Sequence, residues 1–328
     1  MIQRREFIAG LGGAAAWPLV ARAQQDGRVR RIGVLSAQAM DSPTETVWLD
    51  TLRQGLARLG WVEGRNLQID VRYSEGRLGR AQAIAKELVT LRPDVILGES
   101  TPFVRFLKQG TGSIPIVFMS VSDPVGSGFV ESLARPGGNL TGFLLFEGSI
   151  TGKWLGMLKE IAPQLKRVAM IANPFGPYDY FLPAAKQAAS ALGIDLTPYP
   201  VENREEVERI IDAFAREPNS GLLFPPNNTM YLYWDLVLRL AAKYRLPAVF
   251  SEREMVEAGG LMAYYTDRRD QYRLAAGYVD RILRGAKPAD LPVQTPVKYV
   301  TILNLRTAKE LGLTVSPVLL VRADEVIE

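Results

Sequence analysis

Six short polar clusters carry most of the side chains able to do chemistry: Ser36-Ala37-Gln38, Glu99-Ser100-Thr101-Pro102, Ser122-Asp123-Pro124, Asn173-Pro174-Phe175 with Tyr178, Pro225-Pro226-Asn227-Asn228-Thr229, and Tyr264-Tyr265-Thr266-Asp267. They supply hydroxyls, amides and carboxylates, which suits a few directional hydrogen bonds to a small polar ligand. Phe146, Tyr178 and Tyr265 add faces that could stack on a flat molecule, worth about 0.5–1.5 kcal/mol per ring pair beyond burial. The candidate ligand contacts are therefore Ser36, Gln38, Ser100, Thr101, Ser122, Asp123, Phe146, Asn173, Tyr178, Asn227, Asn228, Tyr265 and Asp267. Each also has a plainer explanation. Ser100 or Thr101 before Pro102 makes a good helix cap, and Asp123-Pro124, Asn173-Pro174 and Asn227-Asn228 are common turn formers.

What the chain lacks narrows the chemistry further. It has no Cys and no His, so a thiol nucleophile, a Cys/His zinc site, a Ser-His-Asp triad and an imidazole switch are all excluded. Asp123 with Asp267 is the one carboxylate pair that could be nominated for catalysis. The stretch from Gly148 to Lys153 looks like a phosphate loop, but it is one residue short between its glycines, and Trp154 stands where Ser or Thr is needed. The expectation is a binding protein, not an enzyme, without cofactor or metal. A formal charge of +4 and a pI near 9.2 come from Lys and Arg interleaved with Asp and Glu. No basic stripe forms, so no nucleic acid is expected.

The elements that must position those clusters begin after an address segment. Arg4 and Arg5, an apolar stretch over 9–20, and Ala21-Arg22-Ala23 have the parts of a twin-arginine export signal covering 1–23. The apolar part falls short of the ~20 residues a membrane span needs. Removing the leader takes away three Arg and one Glu, leaving 36 basic against 34 acidic residues, or +2. The destination expected from such a leader is the periplasm.

From there, short β-rich runs alternate with segments at helical spacing, the signature of βαβ units. Strand 31–36 is followed by a helix over 43–59, with Trp48, Leu52, Leu56 and Leu59 on one face. Strands 67–73 and 95–97, a strand ending at 119, a short helix over 126–133 and strand 140–143 complete one unit. A second series runs from about 150 to 265, and a helix over 270–283 and a strand over 297–303 follow. The fold class expected is α/β: two doubly wound parallel-sheet lobes joined by a multi-strand hinge, 30–145 plus 267–292 and 146–266 plus 293–328. In open parallel sheets ligands sit beyond the carboxyl ends of the strands, where the six clusters fall. Trp48, Trp61, Trp154 and Trp234 read as core, away from that cleft.

Three stretches carry a family likeness: 121–142, from Val121-Ser122-Asp123-Pro124 to Asn139-Leu140-Thr141-Gly142; 304–313 with 322–327; and 60–66. They resemble the ABC-transporter substrate-binding family that includes tryptophan/tyrosine-binding proteins, over essentially the whole chain from about Arg30. The resemblance implies a type I periplasmic-binding fold in which two lobes close on a ligand and the closed form docks on an inner-membrane ABC permease. It also implies an aromatic amino acid held near Ser100, Thr101, Ser122, Asp123 and Asn228. The chain is expected to act as a monomer. Two positions depart from the family pattern: Glu99 replaces a small residue, and Tyr265-Thr266 precedes Asp267 where glycine is common. A sensory module reporting to a membrane kinase is the alternative from another class.

Overall fold

A computed structural model describes residues 28–174, 178–226 and 228–328, the side chains of 228–231 excepted. The expected leader 1–23, Asn227 and the side chain of Asn228 lie outside the described residues.

The first sheet contains β1 (Arg30–Ser36), β2 (Leu67–Tyr73), β3 (Val95–Glu99), β4 (Ile116–Val121) and β5 (Leu140–Leu144), all parallel, in the order β2-β1-β3-β4-β5. Strands β3, β4 and β5 are buried on both faces because both are covered, whereas the edge strand β2 carries Gln68, Asp70 and Arg72 along one side. Ile32, Val34, Val95, Leu97, Val117 and Met119 enter the core under α1 (Pro43–Arg58). Leu35, Ile96, Ile116 and Phe118 point the other way, toward α2 (Leu78–Thr90) and α3 (Thr101–Gly110). The period of two along each strand separates the two cores. Gly142 in β5 has φ 156°, and a Cβ there would lie 2.0 Å from the Phe118 carbonyl oxygen. Only glycine lets β5 close against β4.

The second series gives α4 (Ile150–Ile161), β6 (Arg167–Ala172), α5 (Tyr178–Ala191), β7 (Asp195–Pro200), α6 (Arg204–Phe214), β8 (Ser220–Leu223), α7 (Asn228–Lys243), β9 (Ala248–Phe250), α8 (Arg253–Glu257) and β10 (Met262–Tyr265). After α9 (Arg268–Leu283) come β11 (Val300–Asn304), α10 (Leu305–Glu310), α11 (Pro317–Arg322) and β12 (Glu325–Ile327). Seven strands order as β12-β11-β10-β9-β8-β6-β7. The expected parallel arrangement holds from β6 to β10, whereas β11 runs antiparallel to β10 and β12 runs parallel to β11.

The chain passes between the sheets three times. It leaves β5 for α4, and it returns through Thr266 and Asp267 to α9, whose Tyr272, Ala276 and Val279 join Trp48 and Leu52 in the first core. Gln294 then bonds both ways with β5, donating to the Gly142 carbonyl at 2.9 Å and accepting the Leu144 N–H at 2.8 Å, before the chain goes back to β11.

Two element expectations are corrected. Residues 126–133 form successive turns, not a helix: Phe129 N–H reaches the Pro124 carbonyl, and Gly128 takes φ 67°, a left-handed step that no helix continues through. The last long strand starts at Val300 rather than 297, because 295–299 is the third crossing.

Candidate functional site

The carboxyl ends of both sheets open on shared space. One cavity, about 370 Å³, is lined by Gln38, Ser42, Trp48 and Glu75 of the first lobe and by Trp234, Glu252, Glu254 and Met255 of the second. A second, about 500 Å³, shares Trp48 and Glu252 and extends to Tyr265, Asp267, Arg268 and Glu325. This corrects the reading of Trp48 and Trp234 as remote from the cleft. Trp48 still packs on Tyr272, with ring centroids 5.8 Å apart, but its ring also carries the Arg268 guanidinium at 5.2 Å.

The first lobe's clusters come together through backbone geometry. Helix α3 starts immediately beyond β3, so its first-turn N–H groups lack intrahelical acceptors. Ser100 just before it takes φ 60°, ψ 149°, and its Oγ is buried without a hydrogen-bond partner. Thr101 Oγ1 lies 3.2 Å from both the N and the O of Ser122, tying the β3 loop to the β4 loop. Ser36 Oγ donates to Glu99 at 3.2 Å and accepts the Gln38 N–H at 3.1 Å, which sets Gln38 on the cleft wall.

Asp123 and Asp267 serve their own loops. The Asp123 carboxylate accepts the Gly126 N–H at 2.8 Å, with its own backbone at φ 48°. Asp267 caps α9 by accepting the Arg269 N–H at 2.9 Å and pairs with the Arg269 guanidinium at 2.6 Å. Burial pulls Asp267 upward, but the hydrogen bonds and charge of Arg269 outweigh it and hold the carboxyl below its usual range.

On the second lobe, half-buried Asn173 follows β6 and half-buried Tyr178 opens α5, its hydroxyl raised mainly by burial. Tyr265 lines the larger cavity, accepting from Arg253 at 3.3 Å and donating to Glu325 at 3.4 Å. Phe146 is fully buried, its ring 5.3 Å from Trp154 and 6.2 Å from Tyr299. The structure thus groups Ser36, Gln38, Ser100, Thr101 and Ser122 at one edge, and packs Phe146 in the second core.

Sequence reasoning missed the Glu252–Arg268 pair. It joins the segment after β9 to the first turn of α9 at 2.6 Å, with side chains 9% and 6% exposed. The signal was available: Ser251-Glu252 follows a strand, as the six chosen clusters do. Among the described residues no group of three or more metal-ligating side chains gathers, and no helix is long and apolar enough to cross a membrane.

Comparison with known proteins matches residues 32–327 to the model of the ABC transporter substrate binding protein family. A tyrosine-binding protein of Clostridioides difficile strain R20291 is 26% identical over 302 residues, covering 87% of this chain and 81% of that protein. A Streptococcus pneumoniae ABC domain solved in complex with L-Trp superposes with TM-score 0.81 at 26% identity, covering 91% of this chain and 99% of the other. A ligand-free, open substrate-binding protein with adhesive properties from Clostridium difficile gives TM-score 0.68 at 25% identity over the same 91% of this chain and 99% of its own. With nearly the whole described chain matched, and two α/β lobes meeting at one cleft, this protein belongs to the ABC transporter substrate binding protein family.

Proposed function

We propose that the protein is a periplasmic receptor that captures an aromatic amino acid between its lobes, 30–145 with 267–292 and 146–266 with 293–328, and presents the closed form to an inner-membrane ABC permease. The observation that carries this reading is the cavity walled by both lobes, with Trp48 on one side and Trp234 on the other. The tyrosine-binding relative and the L-Trp complex support the ligand class. The better fit to the ligand-bound neighbour than to the open one, at nearly equal identity, supports a closed arrangement of the lobes.

In this reading the ligand carboxylate sits at the start of α3, where Ser100 Oγ and the first-turn N–H groups favour an anion. Thr101 and Ser122 hold that turn in shape. Gln38 on one side and Asn173 and Tyr178 on the other complete the enclosure. Closure follows from differential affinity: a ligand touching both lobes favours the conformer in which they meet.

Calorimetric titration with L-tryptophan, L-tyrosine and L-phenylalanine, with X-ray scattering alongside, is expected to give saturable binding and a smaller radius of gyration. If no aromatic amino acid binds or compacts the protein, the receptor reading is wrong. Export is tested separately: a reporter fused after the leader should reach the periplasm, and replacing both Arg4 and Arg5 by Lys should keep it inside.

A further inference from the structure

Glu45 is fully buried, and neither of its carboxyl oxygens has a hydrogen-bond partner. It occupies the third position of α1, where an acid following a Ser cap commonly turns back to the cap N–H. Ser42 Oγ does accept the Glu45 N–H at 3.3 Å. The acid that acts on the Glu45 carboxyl is Glu99 at the end of β3: one turn on from Glu45, Trp48 packs on Tyr272, whose hydroxyl donates to Glu99 at 2.5 Å.

Glu99 is also fully buried. Its carboxylate accepts three hydrogen bonds: the Ala37 N–H at 2.7 Å, Ser36 Oγ at 3.2 Å and the Tyr272 hydroxyl at 2.5 Å. Two of these hold the end of β1, from which Gln38 reaches the cavity. Two interacting carboxyls in a dry interior do not both ionise. Glu99 has the three donors. Glu45, whose oxygens have no partner within hydrogen-bond geometry, takes the proton.

The surroundings agree. Around Glu45 stand Ser36 from β1, Tyr73 from β2, Glu99 from β3, and Arg268 and Tyr272 from α9. The Ser36 and Tyr272 hydroxyls donate to Glu99 and, with Arg268, also pull the Glu45 carboxyl down, by less than burial and Glu99 raise it. Arg268 is drawn to Glu252 of the second lobe at 2.6 Å. Burial first, and the Glu99 charge second, raise the Glu45 carboxyl from 4.5 to about 8.

We propose that Glu45 and Glu99 form a one-proton pair that fixes the 36–38 wall of the cleft, so that ligand retention weakens when the proton leaves. The ligand part rests on the proposed receptor function; the pair itself does not. The folded protein keeps a proton that the unfolded chain releases between pH 4.5 and about 8. Stability therefore falls as pH rises through that window and stays low above it.

Ligand-free protein near pH 7 is expected to show the infrared carbonyl stretch of a protonated carboxyl, which Glu45→Gln removes. Its thermal midpoint should fall more steeply with rising pH in the wild type than in Glu45→Gln. With L-tryptophan as probe, wild-type affinity should drop by up to about tenfold per pH unit above about pH 8, whereas Glu45→Gln stays flat and near the wild-type value at pH 7. Glu99→Gln, unable to accept three donors, should lose about tenfold at pH 7, and Glu99→Asp should lose less. A wild type lacking the protonated-acid band, or a Glu45→Gln variant with the wild-type pH slope, overturns the pair. Tight tryptophan binding that ignores both pH and Glu99→Gln overturns its positioning role. If the band and slope appear but neither tryptophan nor tyrosine binds, the receptor function fails while the pair stands.

Discussion

Ser100 occupies a backbone region, φ 60° with ψ 149°, that costs a residue with a side chain of order 1–3 kcal/mol. Such strain at the mouth of a helix makes Ser100→Gly a two-sided test. The variant should gain about 1 kcal/mol in urea unfolding and lose ligand affinity with its hydroxyl; unchanged affinity would remove Ser100 from the contacts. Glu252→Gln acts differently, because it takes a carboxylate from a guanidinium that is 6% exposed. Losing one member of a buried pair costs about 3–5 kcal/mol, measurable as a lower denaturant midpoint. At this scale the sequence was informative about residue types in loops: hydroxyl and amide clusters after strands led to Ser36, Gln38, Ser100 and Thr101. It misplaced Trp48 as core away from the cleft and was silent on Glu45 and Arg268. A tryptophan at helical spacing looks alike whether it meets its own sheet or the opposite lobe, and an acid after a Ser cap looks like an ordinary capping box.

Elements were legible where burial on two faces imposes a pattern. The runs in β1, β3 and β4 alternate between two cores and could be placed to within a residue or two. Residues 126–133 misled because Phe129, Val130 and Leu133 have helix-like spacing while Asp123 and Gly128 bend the chain into turns. Helix α11, with six residues, is too short to show a period, and Val318 and Val321 on it are exposed, so no buried stripe marks it. Strands β9 and β12 are three residues each; β9 falls within the expected second series and β12 lies beyond it. The tightest sheet contact is at Gly142, whose Cβ position lies 2.0 Å from a backbone oxygen. Gly142→Ala should destabilise by about 3 kcal/mol through overpacking, and hydrogen exchange should show β5 opening first.

For the whole molecule, the two-lobed plan followed from one repeated alternation of strand and helix, whereas the sheet order and the antiparallel β11 did not, because strand pairing is set by contacts distant in sequence. The three connections constrain the lobes to rotate about a common line rather than to drift independently. They also bear on what happens when the backbone is severed. The third connection carries Val297 at 97% exposure, an open invitation to a protease. A nick there should give two bands on a denaturing gel but a single species on a sizing column. The short tail piece would stay in place through β11, registered along β10 from Met262 to Tyr265, and the cut protein would still fold its halves together.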